Sequence, residues 1–372
     1  MIDVTPLRVA FRADASIEIG TGHVMRCLTL AYILREQGAD CSFICRSHPG
    51  HLLSLIRTHG FAAHSLPVVD IRSSATDQER FPYADWLGAD WVEDADQTLA
   101  VLGPVQVDWL IADHYAIDER WEKRVRNSAS KLLVLDDLAN RPHACDLLLD
   151  QTLGRSSADY NDYVPSRCVV LAGPEYALLR PDFASLRAVS LERRASPRLV
   201  HLLITMGGVD KANATSRVLA SLASCALPMD CRITVVMGAQ APWIREVRKR
   251  ADDLPWPTEV RVDVRDMAHL MTNSDLMIGA AGSTVWEACC LGLPSLLASL
   301  AENQRTIAEA LEAAGAAKTA TISTVAAGMD WFLTPEASTP SKLSDLSRAA
   351  ARVTHGRGAS IVGQMLTMRG QL

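Results

Sequence analysis

The 372-residue sequence has no stretch near the roughly 18 consecutive apolar residues of a membrane-spanning helix. Its opening residues, MIDVTPLRVAFRAD, show no charged segment followed by an apolar core. A soluble, cytoplasmic protein without a membrane partner is therefore expected. No block of Lys or Arg is long enough to follow a phosphate backbone, and the formal charge of −6 is mild, so nucleic acid is not an expected partner. The nine cysteines include no CxxC pair, which argues against a disulfide framework or a thiolate zinc site; they read as reduced core thiols. Also missing is an HxxxH or HxH pair beside a carboxylate. His48, His51, His59 and His64 read as part of a helix and loop, and no metal is expected.

What is present is a chain long enough for two cores, with 48% hydrophobic and 22% charged content. Short apolar runs recur at 7–13, 41–46, 107–113, 131–137 and 146–150, with helix-like segments between them. Runs that are apolar on both faces suit buried parallel strands joined by crossover helices. A polar segment at 185–198 reads as a linker, and the pattern restarts at 199–208, 231–238, 259–264, 276–282 and 294–299. The spacing predicts an α/β protein of two Rossmann-like, doubly wound domains, 1–185 and 186–372, facing across a cleft. The segment after 340 reads as a closing helix that packs back on the first domain. Surface pairing is not legible in the pattern, which leaves the oligomeric state open, a monomer included.

After the first strand, a loop holding Gly20 and Gly22 leads into a helix with Val24, Leu28, Ala31 and Leu34 on one face. Glycines let the backbone approach a ligand, and a helix N-terminus favours anionic groups. His23 stands in the first turn, where the positive helix end disfavours imidazolium and keeps the ring available as a base. A dinucleotide fingerprint is excluded: the third glycine position is Met25, the loop is too long, and Arg46 stands where an acid would hold a ribose. No cofactor is expected.

The next strand ends at Asp113, His114 and Tyr115, and later strands end near Asp136, Asp137, Asp146 and Asp150. Carboxylates at strand ends either position a sugar hydroxyl, orient an imidazole, or cap the helices that follow. In the second half, Gly207 and Gly208 follow a strand and offer amides for a diphosphate, with Asn213 at the start of the next helix. The string IGAAGSTVWEACCLGLPSLLASLAENQ supplies a small-residue turn from Gly279 to Ser283, with Gly282 in it, then Glu287 one turn into a helix, and ends at Glu302, Asn303 and Gln304. A carboxylate there can accept both hydroxyls of a ribose.

That string resembles the nucleotide-binding segment of GT-B glycosyltransferases, in particular the enzyme that adds N-acetylglucosamine to lipid-linked muramyl peptide. FRADASIEIGTGHVMRCLTLA, IADHYAID, VLDDLANRPHACDLLLDQT, GPEYALLRPDF, TMGGVDKAN and GSTVWEACCLGLPSL together resemble the UDP-2,4-diacetamido-2,4,6-trideoxy-β-L-altropyranose hydrolases of pseudaminic acid biosynthesis. The resemblance runs in order from about residue 7 to 304. It implies a GT-B-like fold, a UDP-sugar substrate, and metal-independent hydrolysis with inversion. It also implies His23 as the general base, and Asn213 and Glu287 as nucleotide contacts. Asp14 and Tyr115 are candidates for orienting the base or the sugar, and the Gly207–Gly208 and Gly282–Ser283 loops for receiving the departing diphosphate. Two alternatives stand beside this reading: a glycosyltransferase of the same fold, and a nucleotide-sugar binding module that would leave His23 without a task.

Overall fold

The computed structural model describes residues 6–69, 83–300, 302–333 and 339–368, without the side chains of Glu302 and Asn303. The chain divides into two compact units, Met1–Leu178 with Gly358–Leu372, and Leu179–Arg357.

Unit 1 contains strands β1 (Arg8–Ala13), β2 (Asp40–Arg46), β3 (Ala62–Leu66), β4 (Val107–Asp113), β5 (Ala129–Leu135), β6 (Leu147–Asp150) and β7 (Val169–Ala172). Helices α1 (Gly22–Glu36), α2 (Leu53–Thr58), α3 (Trp91–Leu102) and α4 (Glu119–Val125) link them. The sheet is parallel, in the order β3-β2-β1-β4-β5-β6-β7. Both faces are covered, and alternate residues of each strand enter opposite core layers. Val9 and Phe11 pack in the layer with Leu28, Ala31 and Leu34 of α1, whereas Ala10 packs in the layer with Trp121 of α4.

Unit 2 begins with α5 (Pro181–Arg193), followed by β8 (His201–Thr205), α6 (Ala214–Leu222), β9 (Arg232–Met237), α7 (Ile244–Asp252) and β10 (Thr258–Val262). It continues with α8 (Met267–Thr272), β11 (Leu276–Ala280), α9 (Thr284–Cys290), β12 (Ser295–Ala298), α10 (Glu302–Ala313), β13 (Lys318–Ala320), α11 (Val325–Leu333) and α12 (Thr339–Val353). Its sheet is also parallel, in the order β10-β9-β8-β11-β12-β13. Both sheets repeat the doubly wound order in which the chain reverses direction beside the first strand. The expected α/β architecture of two Rossmann-like sheets is the one observed.

Residues read as a polar linker at 185–198 are largely helical, because Pro181 opens α5 at its first turn and Phe183 anchors it in the core. The polar residues of this helix are used inside unit 2: Arg187 donates to the carbonyls of Cys290, Thr354 and Ala351. The last helix, α13 (Gly358–Thr367), packs against α1 in unit 1, and Trp109 Nε1 donates to the Leu366 carbonyl at 3.0 Å. Gly363 permits this contact, since a Cβ there would lie 2.6 Å from Ile33 Cγ2.

Candidate functional site

In unit 1 the strand order reverses between β1 and β4, and ligands of such sheets bind outside the carboxyl ends of the strands at that point. β1 delivers Asp14 there and β4 delivers Asp113, His114 and Tyr115. The loop from β1 to α1 turns at Gly20, whose φ is +82°, and is held by Ser16 Oγ, which accepts from the Glu18 and Ile19 amides. Gly22 opens α1, and His23 follows in a first turn that no side chain caps.

His23 Nδ1 lies 2.6 Å from Asp113 Oδ1. Arg26, three residues further along the same face of α1, clamps the Asp113 carboxylate from two nitrogens, each at 2.7 Å, and reaches Asp137 Oδ2 at 2.7 Å. Burial alone raises the Asp113 carboxyl, but Arg26 and then His23 more than offset it and hold it well below the ordinary range. An ionised Asp113 accepts the proton on Nδ1 and so leaves Nε2 as the basic nitrogen. Among the described residues nothing hydrogen-bonds Nε2. The Tyr115 ring stands edge-on to His23 with centroids 4.7 Å apart, and its hydroxyl donates to Asp137 Oδ2 at 3.0 Å. Burial, then Asp137, raise the Tyr115 phenol well above its ordinary value, so it stays a neutral donor. Trp86 and Tyr83 extend this aromatic wall, with centroids 6.0 and 5.3 Å from Tyr115.

Asp14 belongs to a neighbouring network and makes no hydrogen bond to His23 among the described residues. Its Oδ1 accepts from Arg12 Nη1 at 2.7 Å and from the Arg46 amide at 2.6 Å. Its Oδ2 faces His114 Nε2 at 3.4 Å and His48 Nε2 at 3.7 Å. The Ala116 amide donates to His114 Nδ1 at 3.0 Å, so the neutral ring carries its proton on the nitrogen facing Asp14. Behind it Asp94 bridges Arg12, Arg46 and Trp121 Nε1, all fully buried. Arg46 is thus a structural partner of Asp94. Of the other strand-end carboxylates, Asp136 binds Arg141 and the Ala139 amide, Asp146 binds the Leu132 amide, and Asp150 binds the Thr152 amide and Arg155. His64, read as a loop residue, lies on β3.

Unit 2 reverses its strand order between β8 and β11; Gly207, Gly208 and Asn213 follow β8, Gly282 and Ser283 follow β11, and Glu287 lies in α9. Gly207 has a φ of +90°. The Gly208 carbonyl accepts from the Gly238 amide at 3.0 Å. Asp210, rather than Asn213, caps α6, accepting from the Ala214 and Thr215 amides at 2.7 and 2.9 Å. Asn213 is held at φ +52° with its Oδ1 buried and unbonded, and the neighbouring hydroxyls of Thr215 and Ser216 are likewise unbonded. Asn213 thus keeps an amide oxygen free where a ligand would replace its missing donor. Gly282 and Ser283 precede α9 with no side-chain cap, and a Cβ at Gly282 would meet nothing within 4 Å. Burial pushes the Glu287 carboxyl up from 4.5 to about 7 against the pull of Arg180, and no described group hydrogen-bonds it. Gln304 Oε1 accepts the Leu300 amide at 2.9 Å, while Glu302 and Asn303 start α10 with side chains outside the described residues. Among the described residues, no group of three or more His, Cys, Asp or Glu is placed to hold a metal.

Sequence reasoning missed Arg26. Its signal was a charged residue at i+3 from His23, on a helix face otherwise committed to the core.

No protein-family model matches the chain. The chain is 28% identical over 286 residues to the UDP-2,4-diacetamido-2,4,6-trideoxy-beta-L-altropyranose hydrolase of Campylobacter jejuni, covering 77% of this chain and 89% of that protein. It is 31% identical over 156 residues to the spore coat polysaccharide biosynthesis protein SpsG of Bacillus subtilis, covering 42% and 44%. Among solved structures it is similar to Acinetobacter baumannii MurG, with a TM-score of 0.66 and 17% identity over 97% of this chain and 99% of that one. It is also similar to LpCGTa solved with UDP, with a TM-score of 0.61 and 15% identity over 98% and 100%. The chain is therefore a sequence relative of a UDP-sugar hydrolase, built on the GT-B fold of nucleotide-sugar glycosyltransferases.

Proposed function

We propose that this chain is an enzyme that hydrolyses a UDP-linked, N-acetylated deoxysugar to UDP and the free sugar, inverting the anomeric carbon without a metal. The observation that carries the reading is the His23–Asp113 pair at the switch point of unit 1, 2.6 Å apart, with Nε2 unbonded among the described residues. Nε2 takes a proton from water as the water oxygen bonds to the anomeric carbon. The bond from that carbon to the β-phosphate oxygen breaks, and the electron pair leaves on UDP. Attack opposite the departing diphosphate in one displacement inverts the centre.

Unit 2 supplies the nucleotide contacts in this reading. Glu287 accepts the ribose hydroxyls, Asn213 contributes its free amide, and the Gly207–Gly208 and Gly282–Ser283 amides carry the charge of the leaving diphosphate. The unbonded Glu287 carboxyl and Asn213 amide support these assignments. Tyr115, fixed on Asp137, supports the sugar beside the base.

The test incubates the full chain with UDP-2,4-diacetamido-2,4,6-trideoxy-β-L-altropyranose in the presence of EDTA. NMR then follows UDP and the first anomer released. Release with inversion that is lost in His23→Ala supports the proposal. Release that requires an added acceptor would make the chain a glycosyltransferase, and saturable UDP binding without turnover would make it a binding module.

A further inference from the structure

We infer that unit 2 carries a second site, for a phosphate-sized oxyanion, between the end of α5 and the amino-terminal ends of β11 and β12. A cavity of about 270 Å³ lies there, with Arg193, Arg194, Ser196, Arg198 and Asp275 in its wall. That is below the usual range for drug-sized ligands and suits a small ion.

The charges do not balance within this wall. Asp275 is its one acid, and it is already engaged: Oδ1 takes Arg193 Nη2 at 2.5 Å, and Oδ2 takes the Val200 and His201 amides at 2.9 and 2.8 Å. Arg194 is 6% exposed and forms no ion pair with a carboxylate among the described residues. Its two terminal nitrogens donate only to the backbone carbonyls of Ser274 and Met271, at 3.0 and 2.9 Å, and its Nε is buried with no acceptor. Arg198 is exposed and makes no hydrogen bond or ion pair with any described residue. Two guanidinium groups thus face one small cavity without a counter-ion. Burying an uncompensated charge is costly, and a planar donor set of this kind matches phosphate oxygens. Burial, then the neighbouring Arg193, push Arg194 down to about 9 against the pull of Asp275.

This cavity lies apart from the proposed nucleotide residues. Its wall takes Asp275 and Pro294, which immediately precede β11 and β12, whereas Gly207, Gly208, Gly282 and Ser283 follow the carboxyl ends of β8 and β11. The ligand class is orthophosphate or the phosphate of a monoester, and the site stands whether or not the chain is a hydrolase.

Isothermal titration calorimetry on the full chain, in phosphate-free buffer, tests it with inorganic phosphate and with methyl phosphate. The expected result is one site per chain that persists under saturating UDP, weakens about tenfold in Arg198→Ala and is lost in Arg198→Glu. Arg198 is exposed, so these variants keep the fold, whereas Arg194 also holds the end of α8 and is the poorer probe. Preference for inorganic phosphate would identify the free ion as the ligand, and preference for methyl phosphate a monoester; both uphold the site. Phosphate binding that is unchanged in Arg198→Glu, or displaced by UDP, would overturn the inference. So would the absence of saturable binding up to about 10 mM.

Discussion

Asp113 shares one carboxylate between His23 and Arg26: Oδ1 meets His23 Nδ1 at 2.6 Å, and both oxygens are clamped by Arg26. The guanidinium neutralises the acid, so what Asp113 contributes to the ring is orientation and tautomer. Asp113→Asn should keep the ring in place but turn an N–H toward it, favouring the proton on Nε2. The expected loss is on the order of 10²–10⁴ in kcat for UDP release with little change in KM. The Asp113→Asn/His23→Ala double variant should be no slower than His23→Ala, because the two act as one unit. A multiplicative loss would separate them.

With Glu287 assigned to the ribose hydroxyls as proposed, nucleoside binding should depend on pH. The Glu287 carboxyl, raised from 4.5 to about 7, must ionise to accept two hydroxyls, so uridine should bind more tightly as pH rises from 6 to 8. Uridine is the better probe because it lacks titrating phosphates. In Glu287→Gln the affinity should be lower and flat over this range.

The same shift has the opposite sign for stability. The folded state holds a proton that the unfolded chain releases between 4.5 and about 7, so stability is fullest below 4.5 and declines as pH rises through 7. At pH 8, Glu287→Gln should therefore be more stable than the parent by on the order of 1–3 kcal/mol, measured by urea unfolding. A variant that both gains stability and loses nucleoside would mark Glu287 as a residue kept for binding.

Asp94→Ala should be among the most damaging single changes in unit 1. It removes the carboxylate shared by Arg12, Arg46 and Trp121 Nε1, all buried, and the expected cost is about 3–5 kcal/mol. Asp96→Ala removes the exposed pair with Arg124 and should leave the unfolding midpoint essentially unchanged.

Gly238→Ala probes the loop after β8. A Cβ there would lie 2.2 Å from the Gly208 carbonyl oxygen, so the Gly207–Gly208 turn must move. UDP affinity should fall about tenfold or more while the circular dichroism spectrum is retained.

The long central strands were legible because burial on both faces forces continuous apolar runs, as in LRVAFRA for β1 and VDWLIAD for β4. The strands missed were β3, β7 and β13, all at or near sheet edges. β3 reads AAHSL and is half exposed, β7 has four residues, and β13 has three. The site was legible where geometry follows local motifs, as with His23 at the start of α1 and Glu287 in α9. It was not legible where partners meet across strands. Neither the Asp113–His23–Arg26 contact nor the link from Asp14 to His114 follows from spacing, since each joins residues about 90 to 100 positions apart.

Because α13 completes the core over α1, unit 1 is assembled from two separated pieces of chain, with the whole of unit 2 inserted between them. During synthesis, residues 179–357 are all made before Gly358. The layer beneath α1 therefore waits for a helix that is made only after the whole of unit 2. The helix that carries His23 is thus fully packed only once α13, on the far side of unit 2 in the sequence, has been made.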